Sequence, residues 1–481
     1  MSLPRRSLPA ERARCRFVPP YLVDRLAVLD ADRRLSSSGR LTLRLDDSLR
    51  ASRDAPARTM RPPRSASGGT RVVHDAGTLE QLPGTVARSD GDPASGDPAV
   101  DEAFSSAGQV WDLFADLFNR RSADGNGTPL SVTVHFGLDY DNAFWDGEQL
   151  VFGDGDGEVF ERFTKPADVL AHEFTHGVTQ FTAGLAYQGQ PGALNESVSD
   201  VFAALTRQRA LGQRAPQADW LIGVGIFYPG VRALALRSMI EPGTAYDDPR
   251  LGRDRQVGSM TEFVDTEEDS GGVHINSGIP NRAFALTAIA LGGPSWEQPG
   301  QVWYDAITSG EVGAQTDFTG FAQATVSSAA RLHPADPRVA AEVRRAWVEV
   351  GVLQLSASGG ATTGGATPSG TTPGAATLPA DPTPGAATQH VAVRRTGGIA
   401  GLTRAAELDL DLAPEGEEVR SLLSGVDFSS AATTSSSADR FLYTLEYGDL
   451  QLTVPEQDLT PELHRVVQIV LGAPSTPLDL G

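Results

Sequence analysis

The sequence predicts a multidomain α+β protein, and three features carry that expectation. Its 481 residues exceed what one hydrophobic core usually serves, so two or three domains are expected. Both periodicities occur, a strand-like alternation at Val132–Phe136 and helical character from Ala167 onward. Ser356–Thr388 is almost entirely Gly, Ala, Thr, Pro and Ser, which cannot bury enough apolar surface to offset its ordering entropy. Four regions follow: an accessory segment, residues 1–70; a globular region, 71–355; a tether, 356–388; and a small separate α+β domain, 389–474.

In chain order, residues 1–70 are rich in Arg, Ser and Pro, with an apolar island at Phe17–Leu29 and an alternating stretch near Leu41–Leu45. Further on, Pro166 stands where a first helical turn would begin, and Ala167–Ala183 contains few breakers, so a helix is expected. Gly192–Ala210 reads as a second helix, and Asn281–Leu291 as a third after an SGIP turn. Beyond the tether, Leu408–Leu412 (LDLDL), Phe441–Tyr447 (FLYTLEY) and Leu450–Val454 (LQLTV) read as strands, and Pro461–Leu471 as a terminal helix.

The formal charge of −21 argues against nucleic acid or an anionic membrane as a partner. No stretch reaches the roughly 18 apolar residues of a membrane span. The start, MSLPRRSLPAERARCRF, carries charges where an apolar signal core would lie, so the chain is expected to be cytoplasmic at synthesis, any export following another route. Cys15 is the single cysteine, so no intrachain disulfide is available.

The chemistry centres on HEFTH, His172–His176, in the first expected helix. One turn separates the two histidines, so both imidazoles leave the same face and can meet one Zn²⁺, while Glu173 points elsewhere and suits a base rather than a ligand. Chance produces so short a motif at times. Here it is followed by ALNESVSD, with Glu196 and Asp200 four residues apart on the second helix. Glu196 would be the third ligand, leaving a fourth position for water; Asp200 would accept from the free nitrogen of His172, and Asn195 from that of His176. The plain alternative for Glu196 and Asp200 is a solvated helix face.

These residues resemble the thermolysin-like, or M4, family of metallopeptidases. From His74 to Val352 the motifs DNAFWDGEQLVFGDGDG, ADVLAHEFTHGVTQFTAGLAYQGQPGALNESVSDVF, ALRSM and GGVHINSGIPNRAF stand in family order. The resemblance implies a zinc endopeptidase acting on peptides or proteins, folded as a β-rich N-terminal lobe and a helical C-terminal lobe with the zinc helix between them. By position it makes Tyr187 and His274 the donors to the tetrahedral oxyanion, with Asp269 orienting His274. It makes Asn142, Ala143 and Trp145 the stretch that pairs with substrate backbone, and Arg237 the group that binds a substrate carbonyl. Phe160, Phe163, Val169, Ile222, Ile226 and Leu236 would line the pocket for the residue after the scissile bond, so a hydrophobic residue is expected there. Of thermolysin's paired-calcium carboxylates only Asp168 and Asp219 remain, with Arg207, Leu221 and Val224 in place of others and Leu234 at a further calcium position. Structural calcium is therefore not expected, and Arg207 is expected to bridge Asp168 and Asp219.

The stretch CRFVPPYLV, Cys15–Val23, resembles the short precursor segment of the protealysin branch, which implies a propeptide that blocks the cleft. Residues 389–474, with RRTGGIAGLTR at Arg394–Arg404, resemble emfourin, an inhibitor of protealysin-like enzymes. Two functional readings follow: a self-processing endopeptidase, or a self-inhibited protease acting mainly as a regulated interaction protein through its inhibitor-like domain. Cys15 has two readings as well, a small packing residue or a thiolate that reaches the open zinc position.

Overall fold

The computed structural model describes residues 16–29, 33–53, 70–354, 390–397, 404–410, 416–424, 426, 441–447, 450–455 and 459–471. Cys15 and the tether lie outside the described residues. The chain divides into two units, residues 1–361 and 362–481.

Near the N-terminus lie two helices, α1 (Pro20–Ala27) and α2 (Arg33–Arg53). Pro20 suits the first turn of α1, where no N–H donor is needed. The alternation near Leu41–Leu45 belongs to α2 and not to an extended segment: Leu35, Ser38, Thr42 and Leu45 turn inward at helical spacing. The two helices pack so closely that a Cβ at Gly39 would lie 2.7 Å from the Ala27 nitrogen.

The N-terminal lobe is a five-stranded sheet of β1 (Arg71–Asp75), β2 (Thr85–Ser89), β3 (Leu130–Val134), β4 (Ala143–Trp145) and β5 (Leu150–Phe152), in the order β2-β1-β3-β5-β4. The pairs β1/β3 and β3/β5 are parallel, and the two outer pairs antiparallel. Helix α3 (Pro98–Phe118) joins β2 to β3, and its first turn is capped by the Asp97 side chain, which accepts from the Ala99 and Val100 nitrogens. The strand expected to reach Phe136 stops at Val134, because His135 takes a φ of 54° and leaves extended geometry.

The C-terminal lobe holds α4 (Ala167–Gln180), α5 (Gly189–Leu211), the short pairs β6 (Leu221–Ile222) with β7 (Arg237–Ser238) and β8 (Asp247–Asp248) with β9 (Gly252–Arg253), then α6 (Asp269–Asn276), α7 (Gly278–Leu291), α8 (Gln298–Thr308), α9 (Phe318–Leu332) and α10 (Pro337–Glu349). The SGIP residues were expected as a turn before α7, but Gly278 to Pro280 form its first turn. Helix α10 shows the packing rule plainly: Val339, Val343, Ala346 and Trp347 face inward, and Trp347 stacks on Trp303 at 6.2 Å. Helix α4 differs, since every residue from Asp168 to Thr179 is buried. A helix buried on all sides must satisfy its polar side chains from within the protein.

The second unit contains an antiparallel sheet of β10 (His390–Gly397), β11 (Arg404–Asp409), β12 (Phe441–Tyr447) and β13 (Leu450–Pro455), in the order β11-β10-β12-β13, with helices α11 (Gly416–Leu423) and α12 (Pro461–Leu471). Alternate residues Val391 and Val393, Tyr443 and Leu445, and Leu452 and Val454 are buried with Leu463, Val466, Val467 and Val470 of α12. Period two meets the helical stripe i, i+3, i+4, i+7 in one core. No described helix is long and apolar enough to cross a membrane.

Candidate metal centre and active site

The two histidines of α4 find their partners on α5. His172 Nδ1 donates to Asp200 Oδ1 at 2.8 Å, and His176 Nδ1 to Asn195 Oδ1 at 2.9 Å. Asn195 is fixed in turn by its own amide, which donates to the Leu185 carbonyl. With both Nδ1 positions donating, both Nε2 lone pairs are bare, and they face each other at 3.0 Å. Glu196 adds oxygens 3.4 Å from His172 Nε2 and 3.6 Å from His176 Nε2, and its Oε2 has no hydrogen-bond partner although buried. Lone pairs so placed repel one another unless a cation joins them. Ligand atoms about 2.0 to 2.1 Å from zinc lie about 3.3 Å apart in a tetrahedron, so this donor set fits zinc.

Glu173 also brings an oxygen within 4.8 Å of both histidines. Its Oε2 is occupied by the Trp145 N–H at 2.8 Å, and its buried Oε1 has no partner. With its two oxygens 3.4 and 3.6 Å from the two Nε2 atoms, Glu196 is the better placed third ligand, and Glu173 stands beside the centre. Burial, which outweighs the opposing field of His172, pushes the Glu173 carboxyl up to about 8.

Tyr187 and His274 stand across the centre. The Tyr187 hydroxyl donates to Glu196 and lies 3.3 Å from His274 Nε2. His274 Nδ1 contacts Asp269 Oδ1 at 2.6 Å, and the Asp269 field, with that of Glu196, overcomes burial and raises the imidazole to about 9. This contact depends on a local left-handed run: Asp269, Ser270, Gly271 and Gly272 all have φ between 52° and 81°. The run folds the Asp269 carboxylate back onto the His274 N–H and ring. At Gly271 a Cβ would meet the Gly189 nitrogen at 2.9 Å, so the approach of this loop to α5 excludes a side chain.

Residues 16–18 lie across this centre. The Arg16 carbonyl accepts from His274 Nε2 at 2.9 Å, and the Phe17 carbonyl from Arg237 Nη1 at 3.0 Å. The Phe17 N–H donates to the Ala143 carbonyl at 3.2 Å, and the Val18 N–H to Asn142 Oδ1 at 2.9 Å. Phe17 is fully buried, its ring edge-on to His172 and under the Arg237 guanidinium. It shares one apolar core with Phe160, Phe163, Val169, Ile222, Ile226 and Leu236.

Some positions differ from expectation, and some escaped it. In the stretch expected to pair with substrate backbone, the Trp145 N–H holds Glu173. Arg207 makes two hydrogen bonds to Asp219, but Asp168 accepts from the Gly223 N–H and makes no hydrogen bond to Arg207, so the expected bridge is not formed. Ser199, which contacts His176 Nδ1 at 3.0 Å, was missed, although it lies one turn beyond Asn195 on the same face. Asn281 and Arg237, both donating to Asp200, were not foreseen as its partners, because no spacing rule joins α7 or β7 to α5. Asp46 of α2 was also missed: it pairs with the Arg16 guanidinium at 3.0 Å.

A family profile for the thermolysin metallopeptidase catalytic domain matches residues 64–180, and one for its alpha-helical domain matches residues 183–352. An extracellular metalloprotease of Pectobacterium carotovorum subsp. carotovorum is 47% identical over 338 residues, which cover 70% of this chain and 96% of that protein. The chain belongs to the thermolysin family of metallopeptidases. It is a metalloendopeptidase of that fold, with an emfourin domain, matched at residues 393–471, after it. It also resembles protease PrtS of Photorhabdus sp. (strain Az29), 46% identical over 284 residues, 59% of this chain and 76% of that one. Among solved structures, the precursor of protealysin, a metalloproteinase from Serratia proteamaculans, aligns with a TM-score of 0.64 and 44% identity, covering 70% of this chain and all of that one.

Proposed function

We propose that this metalloendopeptidase holds one zinc ion through His172, His176 and Glu196 and cuts peptides before a hydrophobic residue. The observation that carries the reading is the donor set, two buried imidazole nitrogens 3.0 Å apart with one Glu196 oxygen 3.4 Å from His172 and the other 3.6 Å from His176, each imidazole anchored behind by Asp200 or Asn195. Bound there, zinc would supply Lewis acidity toward a water and the substrate carbonyl. Glu173, with one oxygen held by Trp145 and the other free, takes a proton from that water and returns it to the leaving amine. Tyr187 and His274 donate to the oxygen on which charge develops, and Asp269 keeps His274 protonated. Asn142, Ala143 and Arg237 align the substrate backbone, and the pocket of Phe160, Phe163, Val169, Ile222, Ile226 and Leu236 receives the following side chain. Mapping cuts in a mixed peptide pool tests this: cuts should fall before Phe, Leu or Ile and need zinc, and cuts before charged residues would contradict it.

The chain is made as a latent precursor in which residues 1–70 serve as a propeptide. The seat of Phe17 among Arg237, Ala143 and His172 supports this. The emfourin match supports a second reading, in which residues 389–474 restrain the same enzyme. Removing everything after Leu355 separates the two, since unchanged activity would exclude restraint. Structural calcium plays little part: Arg207 neutralises Asp219, and Asp168 is satisfied in part by the Gly223 N–H.

A further inference from the structure

The four backbone contacts of residues 16–18 read the chain in one direction. The imidazole that meets the oxyanion faces the Arg16 carbonyl, while the groups beyond the zinc centre take the Phe17 N–H, the Phe17 carbonyl and the Val18 N–H in turn. The bond between Arg16 and Phe17 thus has an oxyanion donor on one side and an apolar seat on the other. The seat fits tightly, for a Cβ at Gly223 would stand 3.3 Å from the Phe17 ring. On the other side Arg16 is pinned by its buried ion pair with Asp46, whose second oxygen accepts from the Tyr140 hydroxyl. An inhibitory segment needs only to fill the cleft. This one also presents a peptide bond in register.

Resting on the peptidase reading above, we propose that the Arg16–Phe17 bond is a bond that this enzyme cuts in its own chain. In the cut, the oxygen of a water joins the Arg16 carbonyl carbon and the carbon–nitrogen bond to Phe17 breaks. Glu173 carries one water proton to the Phe17 nitrogen, and the second is released when the new Arg16 carboxylic acid ionises; no other reactant is needed. Three of the four backbone contacts belong to Phe17 and Val18 and survive the cut. The new amino terminus therefore stays seated, and the cut precedes release of the cleft.

The test uses the full chain, purified free of metal and then given zinc, followed by intact mass and N-terminal sequencing. Wild type should acquire an N-terminus at Phe17, and Glu173→Gln should not. Phe17→Ala should slow the cut by about tenfold or more, as loss of a buried aromatic implies, and Phe17→Leu should largely restore it. A second readout needs no turnover: in metal-free Glu173→Gln the Phe17 and Val18 amides should be protected from deuterium exchange, and rapid exchange of both in the folded chain would overturn the register. Equal cutting of wild type and Glu173→Gln would assign the cut to another protease and also overturn it. A zinc-loaded wild-type chain that keeps residues 1–16 contradicts the proposal. If that chain still cuts an added peptide, the peptidase reading stands; if it does not, both fall.

Discussion

Replacing Asp200 by alanine should damage this protein in two separable ways. Asp200 is fully buried and accepts from His172, from two nitrogens of Arg237 and from Asn281, all at 2.8 Å. Its removal leaves the Arg237 guanidinium, 3% exposed, as an uncompensated buried charge. Breaking a buried pair in this way costs about 3 to 5 kcal/mol. His172 also loses the acceptor that fixes its tautomer, which costs about 10- to 100-fold in metal affinity at comparable sites. Urea unfolding of the metal-free chain isolates the first effect, and tryptophan fluorescence reports it cleanly because all six tryptophans lie between residues 111 and 347. Competition with a zinc chelator measures the second. Asp200→Asn, which keeps the shape and removes the charge, should fall between wild type and alanine in both. A stability loss below about 1 kcal/mol with unchanged zinc affinity would refute the role given to this carboxylate.

Removing calcium with a chelator that spares zinc should leave the thermal midpoint nearly unchanged, because Arg207 already neutralises Asp219; a large fall would show a calcium site in use. His135, hydrogen-bonded to Asp154 and facing Asp97, is raised to about 9, so its pairing stabilises the fold fully below about pH 6.5 and is lost as pH rises through 9. Its half-buried setting limits the effect to on the order of 1 kcal/mol, and His135→Gln should flatten the stability profile between pH 6.5 and 9; an equally steep profile in the variant would exclude it.

Much of the site could be read from the sequence because it lies on two helices, where spacing alone fixes direction. His172 and His176 on α4, and Glu196 and Asp200 on α5, meet as one turn of helix requires. What could not be read lies where contact depends on the path of the chain between elements. Asp269 reaches His274 only through four successive residues of positive φ, two of them not glycine, a conformation that no periodicity signals. Arg237 and Asn281 reach Asp200 across sequence separations of 37 and 81. Helix α2 was read as an alternating stretch because its inward face carries Ser38, Thr42 and Asp46 among few leucines. Those polar residues are used: Ser38 donates to Asp141, Thr42 accepts from the Asp141 N–H, and Asp46 holds Arg16. A helix whose buried face serves a polar cleft lacks the apolar stripe by which helices are recognised.

The central claim is that Glu173 moves the proton while His172, His176 and Glu196 hold the metal, and the most direct measurement is the zinc content and peptide hydrolysis of Glu173→Gln, assayed together. The account predicts one zinc per chain, as in wild type, with turnover lower by about 10²-fold or more, since only the general base has gone. Glu173→Gln that binds zinc and turns over at the wild-type rate would contradict it, as would a variant that loses the metal along with its activity.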